Sequence, residues 1–173
     1  MTALNFWKTI AMDASNFIEG ILELLRDRAI PYCVIGGQAV NAYVEPLVSL
    51  DLDLVVPGNQ LPQIEALMKN SYKLERFPHS LNVAAPGSAL RVQFQTDPRY
   101  FDFVGRSNVR DVLGLNLPVA SKEDVLQGKV WAVSDATRRA SKRQKDLADI
   151  NRLLEQFPEM RGQVPAEILE KLL

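Results

Sequence analysis

The chain has 173 residues, 47% of them hydrophobic and 24% charged, with a formal net charge of −1. That much apolar material excludes a disordered chain and suits one domain with a sizeable core. The near-neutral balance excludes a broadly basic nucleic-acid binder, so any contact with a polyanion has to be local.

The opening stretch, "MTALNFWKTIAMDASNF", has no basic leader region, uninterrupted apolar run or cleavage site, and no later stretch is apolar enough to span a bilayer. A cytoplasmic protein without membrane partners is expected, as a single unit over residues 1–173. Its core covers about 15–117 and a C-terminal helical part covers about 118–173. Phe17, Ile18, Ile21, Leu22 and Leu25 recur at helical spacing and predict an amphipathic helix ending near Arg28. "IPYCVI" reads as a short buried strand whose lone cysteine, Cys33, suits an inert buried thiol and leaves no partner for a disulfide. Gly36 and Gly37 break that strand, and "QAVNAY" predicts a short helix that Pro46 terminates.

"SLDLDLVV" is a second strand, closed by Pro57 and Gly58, and "LPQIEALMKNS" a helix with Leu61, Ile64, Leu67 and Met68 on one face. Strands follow at "YKLERF", "SLNVAA" and "ALRVQFQ", the last two joined by "APGSA" as an antiparallel hairpin. The stretch from Asp97 to Leu117 carries no clear period. From Ser121 the pattern is helical, and Ser121 with Asp124, like Ser141 with Gln144, has the spacing of a capping box. Leu147, Ile150, Leu153 and Leu154 form an apolar stripe, and a last short helix, "AEILEKLL", follows Pro165. The expected fold class is α/β: a small mixed sheet flanked by helices, with helices at the C-terminus.

Asp51 and Asp53 interrupt a run of Leu and Val. Strand alternation puts both on one face, roughly 6–7 Å apart at the backbone. Each raises the other's pKa unless a cation neutralises both, and a hard divalent ion such as Mg²⁺ suits paired oxygen ligands. Edge-strand carboxylates facing solvent or an arginine would carry the same pattern. Gly36 and Gly37 sit where a strand gives way to a helix, so bare amides can approach a phosphate there; tight turns also need glycine. Together the two features put an anion site beside a cation site, as a metal–triphosphate complex requires.

Gly36-Gly37, thirteen spacer residues and Asp51-Leu52-Asp53 resemble the signature of the polymerase-β-type nucleotidyltransferase superfamily. "GGQAVNAY", "LPVASKEDVLQGKVWA" and "KRQKDLADINRLL" are most similar to small bacterial members related to abortive-infection toxins. The resemblance implies transfer of a nucleoside monophosphate from a nucleoside triphosphate, ATP first among them, to an acceptor hydroxyl on a protein, an RNA end or a small molecule. It implies Asp51 and Asp53 as Mg²⁺ ligands and catalytic residues, and Gly36 and Gly37 on the triphosphate. Gln93 falls where the family carries a third carboxylate, and a neutral amide cannot act as a general base, which leaves Asp97 and Asp102 as nearby substitutes. Ser49 keeps a hydroxyl common before the acidic pair, while Leu47 replaces an arginine. These departures leave a second reading, a binding or regulatory module without catalysis in a toxin–antitoxin setting.

"RRASKRQK" holds five basic residues and no acid. It reads as a solvated face or as a phosphate contact. Lys142 and Arg143 would lie in the first turn of a helix capped by Ser141, against its dipole, and a triphosphate tail or an acceptor RNA would compensate, with Lys142 and Lys145 as the expected phosphate contacts. Lys129 reads as a surface lysine or a phosphate ligand. His79 is expected at a surface hairpin, Trp7 and Trp131 in the core, and Tyr43 in the core or at the pocket.

Overall fold

In the computed structural model, residues 2–10 and 16–172 are described, with the side chains at 3, 7, 8 and 10 left aside; the core placement expected for Trp7 lies outside them. The elements in chain order are α1 (Ala3–Ile10), α2 (Phe17–Asp27), β1 (Cys33–Ile35), α3 (Gly36–Asn41), β2 (Asp51–Val55), α4 (Leu61–Met68), β3 (Lys73–Phe77), β4 (Ser80–Ala84) and β5 (Arg91–Gln95). They continue as α5 (Phe101–Gly105), β6 (Asn108–Val112), β7 (Leu115–Val119), α6 (Lys122–Ser134), α7 (Ala140–Gln156) and α8 (Ala166–Leu169).

One seven-stranded mixed sheet runs in the order β3-β4-β5-β2-β1-β7-β6. The pairs β2/β5 and β1/β7 are parallel and the rest antiparallel. Alternation along the strands decides what each sheet face carries. Leu52, Leu54, Leu81, Val83, Val92 and Phe94 are buried on one face, while Asp51, Asp53, Arg91, Gln93 and Gln95 project from the other. A register slip of one residue would bury both aspartates in the apolar layer, so the hydrophobic pattern itself fixes where the carboxylates point. The helical stripes pack as their spacing dictates: Phe17, Ile18, Ile21, Leu22 and Leu25 of α2 and Leu147, Ile150, Leu153 and Leu154 of α7 are all buried.

The strands and helices expected up to residue 95 are all present, including the hairpin between β4 and β5 and an exposed His79 in the tight turn between β3 and β4. Between Asp97 and Leu117 the structure adds a short 3₁₀ turn (Pro98–Tyr100), α5 and most of a second hairpin, β6–β7. Ser121 caps α6 as expected, its Oγ accepting from the Asp124 amide at 3.1 Å; the Asp124 carboxylate accepts from Arg106 instead of closing the box.

The second capping box does not form. Helix α7 begins at Ala140 with Arg139 at the cap position, so Ser141 already lies inside the first turn, and the Arg143 amide bonds the Arg139 carbonyl at 3.0 Å. The last helix is shorter than "AEILEKLL", spanning Ala166–Leu169 after a 3₁₀ stretch at Pro158–Gln163. Among the described residues no helix is long and apolar enough to cross a membrane.

Candidate active site

A cleft of about 450 Å³ lies between the polar face of β2 and β5, the start of α3, and the facing sides of α6 and α7. Gly36, Gly37, Ser49, Asp51, Asp53, Gln93, Lys129, Lys142 and Lys145 line it, whereas Tyr43, Asp97 and Asp102 do not. Its floor is made where β1 ends and α3 begins. Gly36 turns the chain there with φ of +69°, and a Cβ at that position would collide with the Asp53 carboxylate. Only a residue without a side chain lets the turn sit against that carboxylate. Gly37 is less constrained, since its Cβ would meet only Ser49 Oγ at 3.8 Å.

Polar contacts, part-buried or exposed, hold the loop between α3 and β2 in place. Gln38, 2% exposed, donates from Nε2 to the Ser49 carbonyl at 3.1 Å. Asn41 donates to the Leu47 carbonyl at 2.7 Å and accepts from the Leu47 amide at 3.0 Å. Arg152 of α7 reaches Asn41 Oδ1 at 3.0 Å and the Glu45 carbonyl. Leu47 and Val48 remain 59% and 64% exposed at the rim of the cleft. Ser49 Oγ lies 3.4 Å from the Asp51 amide, at the entry to β2.

The two aspartates stand in different surroundings. On β5, Arg91 is the registered neighbour of Asp51 and Gln93 the registered neighbour of Asp53. Arg91 Nε donates to Asp51 Oδ1 at 2.8 Å, so the arginine-paired alternative holds for that residue. Asp53 is partly buried, and burial followed by the neighbouring Asp51 charge pushes its carboxyl up to about 6 against the pull of Lys129, Lys142 and Arg138. A cation beside it would offset that cost.

The opposite wall is basic. Lys129 is neither a surface lysine nor a loose cation: it is 8% exposed, with its ammonium 3.0 Å from Asp146 and 2.8 Å from Asp149. Arg138 bonds Asp146 at 2.6 Å and Arg152 bonds Asp149 at 2.8 Å, so both carboxylates are shared between cations. Lys142 and Lys145 line the cleft from the next turns of α7 and make no ion pair among the described residues. Arg143 turns back instead, donating to the Asp135 and Arg138 carbonyls. Three members of the basic stretch thus face the cleft and two do not.

Arg91, Arg138, Asp149 and Arg152 belong to this site and were not singled out from the sequence. The period-2 spacing of Arg91 with Gln93 marks the first. The spacing 142, 145, 149, 152, running beside the apolar stripe of α7, marks a polar helix face on which the last two lie. Trp131 packs flat on Phe103 with ring centroids 5.8 Å apart, and Tyr43 bonds the Ala120 carbonyl at 2.7 Å, so both serve packing.

Among the described residues no cluster of three or more His, Cys, Asp or Glu side chains could cage a metal. Two carboxylates, an amide and a hydroxyl still fit Mg²⁺, which commonly takes one or two carboxylates and completes its shell with water and phosphate oxygens.

No protein-family model matches the chain, and no curated protein matches it by sequence. Solved structures do match in three dimensions. The structure of ANT(2″)-Ia in complex with adenylyl-2″-tobramycin superposes with a TM-score of 0.63 at 14% identity, covering 90% of this chain and 97% of that one. The lincomycin-bound lincosamide antibiotic adenylyltransferase LnuA gives 0.54 at 13% identity over 83% and 99% of the two chains. An antigenic nucleotidyltransferase-like protein from Paracoccidioides brasiliensis gives 0.52 at 18% identity over 86% and 75%. At these identities the similarity speaks for architecture, and the chain has a nucleotidyltransferase-like fold.

Proposed function

We propose that this chain is a nucleotidyltransferase of the polymerase-β type, moving a nucleoside monophosphate from a nucleoside triphosphate to an acceptor hydroxyl. The observation that carries this reading is the closeness of the Gly36 turn to the Asp53 carboxylate, which puts a glycine turn and a carboxylate pair at one point of one cleft. Asp51 and Asp53 would hold Mg²⁺, whose chemistry is to neutralise the triphosphate and polarise its α-phosphorus. The Gly36 and Gly37 amides, Lys142 and Lys145 would receive phosphate oxygens, and ATP is the first candidate nucleotide. Lys129 would contribute positive charge to the wall while its ammonium stays tied to Asp146 and Asp149.

In the transfer, the acceptor oxygen bonds to the α-phosphorus, the bond from that phosphorus to its bridging oxygen breaks, and pyrophosphate leaves with the electron pair. Gln93 would orient the acceptor through its amide and cannot take the acceptor's proton, which leaves to solvent. A small hydroxylated molecule, a protein side chain and an RNA end are the acceptor classes. The lincosamide antibiotic adenylyltransferase LnuA and the ANT(2″)-Ia complex with adenylyl-2″-tobramycin, both among the structural neighbours, support the first. The sequence motifs "GGQAVNAY" and "KRQKDLADINRLL" support the toxin-related branch of the superfamily.

The test is pyrophosphate release from each labelled nucleotide with Mg²⁺ and an acceptor panel. Asp51→Asn and Asp53→Asn are expected to lower the rate at least 100-fold, the order of effect seen when a dominant electrostatic contributor is removed. The pairing of Asp51 with Arg91 and of Asp53 with Gln93 favours the second reading, a nucleotide-binding module without catalysis. Nucleotide binding with no pyrophosphate release across the panel would establish that module instead.

A further inference from the structure

We propose that Arg91 competes with the divalent cation for Asp51, so that the cation binds more tightly together with the triphosphate than alone. This rests on the nucleotidyltransferase reading above and concerns how that site is loaded. Asp51 and Arg91 are registered neighbours on parallel strands, and the guanidinium Nε lies 2.8 Å from Asp51 Oδ1. An oxygen engaged that closely by a cation is not available to a second cation in the same direction, and Mg²⁺ entering at Asp51 meets a like charge. Asp53 is left as the one carboxylate of the two without an ion pair among the described residues, and its β5 neighbour Gln93 offers an amide rather than a further carboxylate.

The pair is also built to be displaced. Its side chains are 60% and 36% exposed, and the arginine makes one short contact with the carboxylate rather than a two-pronged one. Exposed pairs of this kind are worth little. Contrast the buried seam across the cleft, where Asp146, 1% exposed, is fixed by Lys129 and Arg138 together. A triphosphate arriving with its metal brings negative charge that can take over the guanidinium, and the released Asp51 oxygen then faces the metal. Arg91 is therefore a positioning residue that couples metal binding to nucleotide binding, and by linkage the coupling runs equally in both directions.

The experiment is titration of Mn²⁺, as a spectroscopic substitute for Mg²⁺, into the purified protein, read by the loss of the free Mn²⁺ paramagnetic resonance signal, with and without a non-hydrolysable ATP analogue whose own Mn²⁺ binding is measured in a protein-free titration and subtracted. Removing an exposed ion pair predicts that Arg91→Ala binds Mn²⁺ roughly two- to fivefold more tightly than wild type without nucleotide, and that the difference shrinks when the analogue is present. Arg91→Gln repeats the measurement with a side chain of similar reach, and a melting curve for each variant confirms that the sheet is intact. Equal Mn²⁺ affinity of wild type and both variants, with Asp53→Asn abolishing binding, would overturn the role of Arg91 and leave the metal site standing. Absence of Mn²⁺ binding in every protein, with or without analogue, would overturn the metal reading itself.

Discussion

At Gly36 two independent demands meet in one residue. Its φ of +69° lies in the left-handed region, which costs a residue bearing a side chain roughly 1–2 kcal/mol. Its missing Cβ leaves the space that the Asp53 carboxylate occupies. Gly37, one position on, meets neither demand, for it has ordinary helical backbone and only Ser49 Oγ at van der Waals distance. Gly36→Ala is therefore expected to destabilise the protein by about 2 kcal/mol or more and to abolish nucleotide binding by displacing Asp53. Gly37→Ala is expected to change stability by less than about 1 kcal/mol, since alanine is the better helix former. Thermal melts and nucleotide titration of the two variants side by side check this. Equal behaviour would mean that the turn does not depend on its approach to Asp53.

Among the elements, those with a strong period were legible in the sequence. The alternation in "SLDLDLVV" and the helical stripe of α7 each announced both the element and its buried face. The hairpin of β6 and β7 gave no such signal, for physical reasons that can be named. Four of the five residues of β6 are exposed, so there is no apolar alternation to read. Its turn is Leu113-Gly114, both with positive φ, where a leucine replaces the asparagine or aspartate that such turns favour. Pro118 inside β7 argues against a strand, and is tolerated where pairing with β1 begins only at Val119. The candidate site was legible in its carboxylates, glycines and lysines; Arg91 was not, because its role comes from strand register across forty residues. Capping divides the same way. Ser121 holds the Asp124 amide, whereas Ser141 sits within α7 and caps nothing. Ser121→Ala is expected to cost about 1 kcal/mol, and Ser141→Ala to be neutral within about 0.5 kcal/mol, in chemical denaturation. A loss at Ser141 equal to that at Ser121 would mean that α7 begins later in solution.

For the whole molecule, the cleft is an electrostatic compromise whose strain should appear in stability against pH. Burial and the Asp51 charge lift the Asp53 carboxyl to about 6, above its ordinary value of 3.8. The folded protein therefore holds a proton on Asp53 between pH 4 and 6 that the unfolded chain has released. Where the native state binds more protons, stability falls as pH rises. The loss is complete above about pH 6 and amounts to at most about 3 kcal/mol. Asp97, held low by Arg99 despite some burial, and Asp135, held low by Thr137, act in the opposite sense, but below their ordinary value of 3.8 and so outside that window. Asp53→Asn, which cannot ionise, should remove the slope between pH 4 and 6 and leave the ligand-free protein more stable than wild type at pH 7. Mg²⁺ with a non-hydrolysable nucleotide should do the same for wild type by neutralising the carboxylate, while leaving Asp53→Asn unmoved. Melting temperatures of both proteins from pH 4 to 8, with and without these ligands, decide the matter. A wild-type slope that persists with ligand bound would mean that the strain at Asp53 is not relieved by metal and triphosphate, and the reason for keeping two carboxylates in this cleft would have to lie elsewhere.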